Sequence, residues 1–207
     1  MGQSPASQPS RSDHFYWSIR NAHELDYHRT IRNSPELTSP EESELIKKIA
    51  ALVRPFIGDR QNTSERELRQ LAANTRVELV DLDGDGAPEV IAQANDIMLG
   101  CGATGNCAFW IFKKASTGYK LLLDTREGDG IGGAQLLTVE KTRTNGFSDL
   151  VLAAHDSAFE KTLVFYRYRN GSYHESACYD ATWISTAGGK WRELKNPVIS
   201  RLDSSCG

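Results

Sequence analysis

Apolar residues first recur along this chain at helical spacing and later in short alternating runs, with the change near residue 76. In SPEESELIKKIAALVRPF (39–56), Leu45, Ile46, Ile49, Leu52, Val53 and Phe56 fall on one helical face. Ser39 is placed to cap that helix, with Pro40 at the first helical position and Glu42 completing a capping box. Pro55 predicts an end near Val53 or Arg54. A second helix is predicted over SERELRQLAAN, with a Ser64/Glu67 capping box, Leu68, Leu71 and Ala72 facing inward, and Asn74 as the stop. Upstream, HFYWSIRNAHELDYHRTIRNSPEL is rich in aromatics and His without a clear period, and suits a helix packed on the body. Residues 1–12 have the composition of a disordered segment.

Beyond residue 76, β-branched and aromatic runs alternate with Gly, Asn and Asp turns: VELV, EVIAQA, AFWIFKKA, YKLLLDT, QLLTVEKT, DLVLAA, TLVFYRYR and SYHESACY. This predicts up to eight short strands, with NGS (170–172) as a hairpin turn. The expected fold class is α+β. A helical region (13–75) packs on an antiparallel β-rich domain with a C-terminal tail (76–207).

The strand pattern repeats. VELVDLDGDGAPEVIAQA (77–94) aligns with LTVEKTRTNGFSDLVLAA (137–154), so that Gly86 meets Gly146, Asp85 meets Asn145 and Glu89 meets Asp149. Val77, Leu79, Val90 and Ile91 meet Leu137, Val139, Leu150 and Val151. Each copy is followed by an aromatic strand, a Gly-containing turn and a Tyr. Two units are too few to close a propeller ring, so a single antiparallel sheet or a small sandwich-like body is expected.

The first copy holds DLDGDGAPE (81–89), where Asp81, Asp83 and Asp85 crowd together. Two like charges roughly 4 Å apart repel by about 1 kcal/mol in bulk water and by more near protein. A cation removes that repulsion. Calcium takes six to eight oxygens, and carboxylates at alternate positions of a tightly turning loop can converge on one ion. Asp81, Asp83, Asp85, the Ala87 carbonyl and Glu89 make up the expected ligand set, with Leu82 turned into the core. Gly84 and Gly86 permit the backbone angles of the wrap. Magnesium, with fewer protein ligands and stricter geometry, fits less well. An EF-hand requires a Glu at the twelfth loop position, where Ala92 stands, and a helix where EVIAQA reads as strand.

Asp81, Asp83, Asp85, Gly86 and Glu89 resemble the calcium loops of FG-GAP repeats, found in integrin α-chain propellers and in many exported bacterial proteins. The resemblance covers about a dozen residues and implies a calcium loop between two strands. In the second copy, Lys141 and Arg143 replace Asp81 and Asp83, so that loop is expected to bind no metal. A single site of this kind reads as structural.

Composition narrows the function classes. The chain has 207 residues, 39% of them apolar and 25% charged, which is ordinary for a globular protein. A net charge of −3 predicts neither a nucleic-acid surface nor a polybasic membrane patch. No run approaches the roughly 18 consecutive apolar residues of a membrane span. The start, MGQSPASQPSRS, lacks an apolar signal core, and Ala6 at the usual Ser/Thr position does not fit myristoylation. Its composition suits the segment after a removed signal peptide, so the full gene is expected to encode an apolar stretch upstream.

Cys101, Cys107, Cys178 and Cys206 are compatible with two disulfides, and three pairings are possible. Cys101–Cys107 across the flexible GATGN loop, with Cys178–Cys206 pinning the tail, is preferred. Zinc is disfavoured by the absence of CxxC or a nearby His pair. Disulfides imply a secreted or periplasmic location.

Other constellations are weaker. HELDYH (23–28) spaces its histidines five apart rather than four, so they diverge on a helix. His155 and Asp156 are adjacent in a strand and point to opposite sides. GDGIGG (128–133) precedes a strand rather than the helix a phosphate loop needs. The Trp and Tyr residues of the second half suit packing, with a few exposed as a binding face. The expected function is an exported, non-catalytic Ca2+-binding protein of the bacterial-envelope type, whose partner is a protein or cell-envelope component. The rival reading is a hydrolase using Glu127, Asp129, His155 and Asp156 on loops.

Overall fold

The structure is a computed structural model and describes residues 24–26, 28–57, 63–126, 132–186, 190–202 and 206. The start of the chain, His23 and Tyr27 of HELDYH, and residues 127–131 lie outside the described residues.

Helix α1 spans Ser39–Ile57 and buries Leu45, Ile49, Ala50 and Val53. Its cap is one residue earlier than expected. Thr38 holds the Glu41 carboxylate through both its backbone N–H (2.8 Å) and its hydroxyl (2.6 Å). Thr38 and Ser39 are both capping residues and both have a glutamate three positions on, so local chemistry alone does not choose between them. The helix also runs past Pro55, which removes one hydrogen bond within the last turn but does not end it. Phe56 leaves the expected apolar stripe: it is 60% exposed and lies under the Arg126 guanidinium, 4.3 Å from the ring centroid. Helix α2, Glu65–Ala73, has the expected Ser64/Glu67 capping box and the Asn74 stop.

Nine strands follow among the described residues: β1 Arg76–Val80, β2 Glu89–Gln93, β3 Phe109–Ala115, β4 Gly118–Asp124, β5 Leu136–Thr144, β6 Phe147–Ser157, β7 Glu160–Arg169, β8 Ser172–Ser185 and β9 Arg192–Arg201. They form two antiparallel sheets, β1-β2-β3-β4 and β5-β6-β7-β8-β9, so the sandwich-like body is found and not the single sheet. β9 extends the second sheet as an edge strand. Its residues are exposed or half-buried and include Pro197, which removes a backbone donor.

The repeat appears as matching strand register. Val77 pairs with Ala92 and Leu79 with Val90 in the first sheet, and Leu137 with Leu152 and Val139 with Leu150 in the second. Ile91 opposite Ile111 is matched by Val151 opposite Phe165. The pairing of the third strand with the fourth carries a β-bulge at the corresponding point of each copy, where Leu122 of β4 and Ser176 of β8 are the extra residues opposite Ile111/Phe112 and Phe165/Tyr166. The two sheets are therefore copies of one four-stranded meander.

Strand alternation sorts the core into layers. Val90, Ala92, Trp110 and Phe112 face the two helices. Ile91, Phe109 and Ile111 face Leu150, Leu152, Val164 and Tyr166 of the second sheet, in a core shared by both sheets. Val151, Ala153, Leu163 and Phe165 form a third cluster on the second sheet's other face. The order is helices, first sheet, second sheet.

Candidate metal centre

The acidic loop connects β1 to β2 and is closed at its base by the Val80–Glu89 pair. Leu82 is fully buried in the core between the sheets and anchors the loop from inside. Gly84 and Gly86 adopt φ of 77° and 85°, the left-handed region that favours glycine.

The carboxylates divide their oxygens between two tasks. One set organises the loop's backbone. Asp81 accepts from the N–H of Gly84 (2.6 Å) and of Gly86 (3.1 Å), one on each oxygen. Asp83 Oδ1 accepts from Asp85 N–H at 3.3 Å, and Asp85 Oδ1 from Ala87 N–H at 2.8 Å. Glu89 Oε2 accepts from the buried Leu82 N–H at 2.8 Å. The remaining oxygens of Asp83, Asp85 and Glu89 converge on one point, and the Lys113 ammonium sits there. Its Nζ lies 2.6 Å from Asp83 Oδ2, 2.7 Å from Asp85 Oδ2 and 2.9 Å from Glu89 Oε1.

Lys113 reaches the loop because β3 lies beside β2. Val90 pairs with Phe112, and one step along that register sets Lys113 opposite Glu89. Sequence reading missed this residue, since the pairing of β2 with β3 is not visible in local pattern. A second cation comes from the other repeat: Arg143 Nη1 donates to the Asp83 carbonyl (3.0 Å) and to the Gly146 carbonyl (3.3 Å). Lys141 is exposed.

Proton affinities follow these contacts. Burial pushes the Glu89 carboxyl up, against the pull of Lys113 and the Leu82 N–H. The hydrogen bond from Lys113 holds exposed Asp85 low. Burial works to lower Lys113, yet bonds to Asp83, Asp85 and Glu89 outweigh it and hold the ammonium above the ordinary lysine range. Burial raises the Tyr173 phenol, with nearby Glu89 and Asp149 adding to the effect.

The donor set fits calcium in kind. Asp81, Asp83 and Glu89 each place a carboxylate oxygen within 4.8 Å of the others, and Asp83, Asp85 and Glu89 surround one cation position. Glu89 closes the inner side, fully buried, while the Asp85 side chain is 47% exposed and leaves the outer side open to solvent. Ala87 is exposed and donates its N–H to Asp85, while the bonds of Lys113 go to carboxylates.

The second repeat has no such loop. β5 continues to Thr144 and pairs with β6 across a tight Asn145-Gly146 turn, with φ of 50° and 90°. Asp149, the counterpart of Glu89, is buried, and among the described residues its Oδ1 finds no hydrogen-bond donor. Burial and the neighbouring Asp149 push Glu140 up.

Both preferred disulfides are present, Cys101–Cys107 and Cys178–Cys206. Cys107 also exchanges backbone hydrogen bonds with Ala134 at 2.9 Å, so the first disulfide loop is tied to the segment entering β5. The residues named for a hydrolase are not brought together where they are described. His155 uses its backbone N–H on Asn106, and Asp156 accepts from Thr162. Glu127 and Asp129 lie outside the described residues. Trp110 is buried, whereas Trp191 is exposed beside Phe159. No described helix is long and apolar enough to cross a membrane.

No protein-family model and no curated protein matches the chain. Among solved structures it is similar to one described as the structure of a Xanthomonas type IV secretion system related protein, at 13% identity and a TM-score of 0.37. That match covers 58% of this chain and 58% of the other, so the chain spans little more than half the length of that protein.

Proposed function

We propose that this chain is an exported, non-catalytic binding protein whose β1–β2 loop takes up calcium as a structural staple. The observation that carries the reading is the convergence of one oxygen each from Asp83, Asp85 and Glu89 on a single cation position at the hairpin of the first meander. Calcium bound there would supply the positive charge that four crowded carboxylates need. The residues that would hold it are Asp81, Asp83, Asp85 and Glu89, with the Ala87 carbonyl as the neutral ligand. Two disulfides, one of which ties the tail to β8, support an oxidising compartment, periplasmic or extracellular. The partner in this reading is a protein or a cell-envelope component.

The test is a melting curve of the wild type and of Asp83→Ala, each in EDTA and in calcium. Calcium is expected to raise the wild-type melting temperature and to leave Asp83→Ala unchanged. Wild-type curves that coincide in EDTA and calcium would overturn the reading.

A further inference from the structure

The acidic loop already contains a cation. We infer that Lys113 is the tethered counter-ion of the metal-free loop, and that a divalent cation enters only by displacing its ammonium. This rests on the calcium reading of the same loop and adds to it a resident competitor.

Three observations carry the inference. First, the ammonium is fully committed: its three N–H donors meet three different carboxylates at 2.6, 2.7 and 2.9 Å. Second, those carboxylate oxygens are the ones left free by the backbone. Asp83, Asp85 and Glu89 each turn their other oxygen to a loop N–H, so a metal drawn to the point where these three carboxylates converge competes with Lys113 for the same atoms. Third, an ammonium and a divalent ion sharing those atoms would lie within a few ångströms of each other, and like charges at that distance in a partly buried site repel strongly. The two occupants are therefore mutually exclusive.

The surroundings provide for the exchange. The Lys113 side chain keeps a quarter of its surface in solvent, and Asp85 lies on the open side. An unbranched four-carbon stem lets the head leave without moving β3. The Phe147 ring, centred 5.6 Å from Nζ, lies beside the ammonium in its resting place. Arg143 stays, since it holds a backbone carbonyl rather than the converging oxygens. In this arrangement the loop remains folded without metal, and calcium affinity is lower than the ligand count alone would give.

The experiment compares calcium binding by titration calorimetry in the full chain, the Lys113→Met variant and the charge-preserving Lys113→Arg variant. Lys113→Met is expected to bind calcium at least tenfold more tightly than the wild type, and Lys113→Arg no more tightly. A second readout uses the wild type alone. Amine acylation followed by mass spectrometry is expected to find Lys113 protected in EDTA and several-fold more reactive in calcium. Calcium binding of equal strength in wild type and Lys113→Met, with unchanged Lys113 labelling, would overturn the displacement while leaving the calcium site standing. Binding in none of the three proteins would overturn the calcium reading itself, and the displacement with it.

Discussion

Replacing Arg126 with methionine probes how the helical layer is fastened to the first sheet. Arg126 grips both oxygens of Asp124, Nε at 3.0 Å and Nη2 at 2.7 Å. Nη2 also donates to the Leu52 carbonyl of α1 at 3.0 Å. The guanidinium lies 4.3 Å from the Phe56 ring centroid and 5.0 Å from that of Trp110. Both charged side chains are almost wholly buried. Breaking such a pair from one side leaves an uncompensated charge, which costs roughly 3–5 kcal/mol. Asp124 keeps the Arg126 backbone N–H at 3.0 Å, which argues for the lower end. Loss of the Leu52 bond adds about 1 kcal/mol, and methionine fills most of the vacated volume, so the cavity contribution is small. The expected loss is about 3–4 kcal/mol in urea unfolding at pH 7. Adding Asp124→Asn should restore at least half of it, because the orphaned charge is then gone. A single variant within about 1 kcal/mol of the wild type would refute a buried clamp between α1 and β4.

Further consequences can be measured independently. Gly118 has φ 107°, and a Cβ there would lie within 2.8 Å of the Glu44 carboxyl carbon, so Gly118→Ala should lower stability by at least about 1–2 kcal/mol in the same assay. The hydrogen bond from Lys114, followed by that of Thr38, holds the Glu41 carboxyl down at about 2. Its stabilising contribution is therefore complete above the unfolded value near 4.3 and is lost as pH falls toward 2. Because Lys114 is largely exposed, that contribution is about 1–2 kcal/mol rather than the full ~3 the shift implies. Glu41→Gln should lose that amount at pH 7 and differ little from the wild type near pH 2. The Cys178–Cys206 bridge closes a separation of 28 residues, for which chain entropy gives an upper value of about 3.5 kcal/mol; paired alanine substitution should lower stability by up to that amount.

The elements legible in the sequence are those whose signal is local. The Ser64/Glu67 capping box, the Asn170-Gly171 turn and the strand alternation each need only a few neighbouring residues, and each reads correctly. The repeat is legible for a related reason: matched apolar spacing specifies matched register, down to the bulge between the third and fourth strands of each copy. What escaped depends on partners distant in sequence. β9 is polar, lies at an edge and contains Pro197, so alternation does not mark it. Phe56 fits a helical stripe, yet it lies where Arg126 arrives from another element. Lys113 is the most consequential omission. As part of FKKA it reads as a solvated strand end, and only the β2–β3 register brings its charge to the carboxylates.

Lys113 also changes the account of DLDGDGAPE. Its four carboxylates are stabilised in the metal-free chain by loop N–H groups, one lysine and a neighbouring arginine. The most direct test of the calcium claim is therefore stoichiometry. Metal-stripped protein should be titrated with calcium in a calorimeter, alongside Asp83→Ala. One calcium ion per wild-type chain is expected, and none in the variant. A wild-type chain that binds no calcium, or an Asp83→Ala chain that binds it equally well, would rule out a calcium staple in this loop.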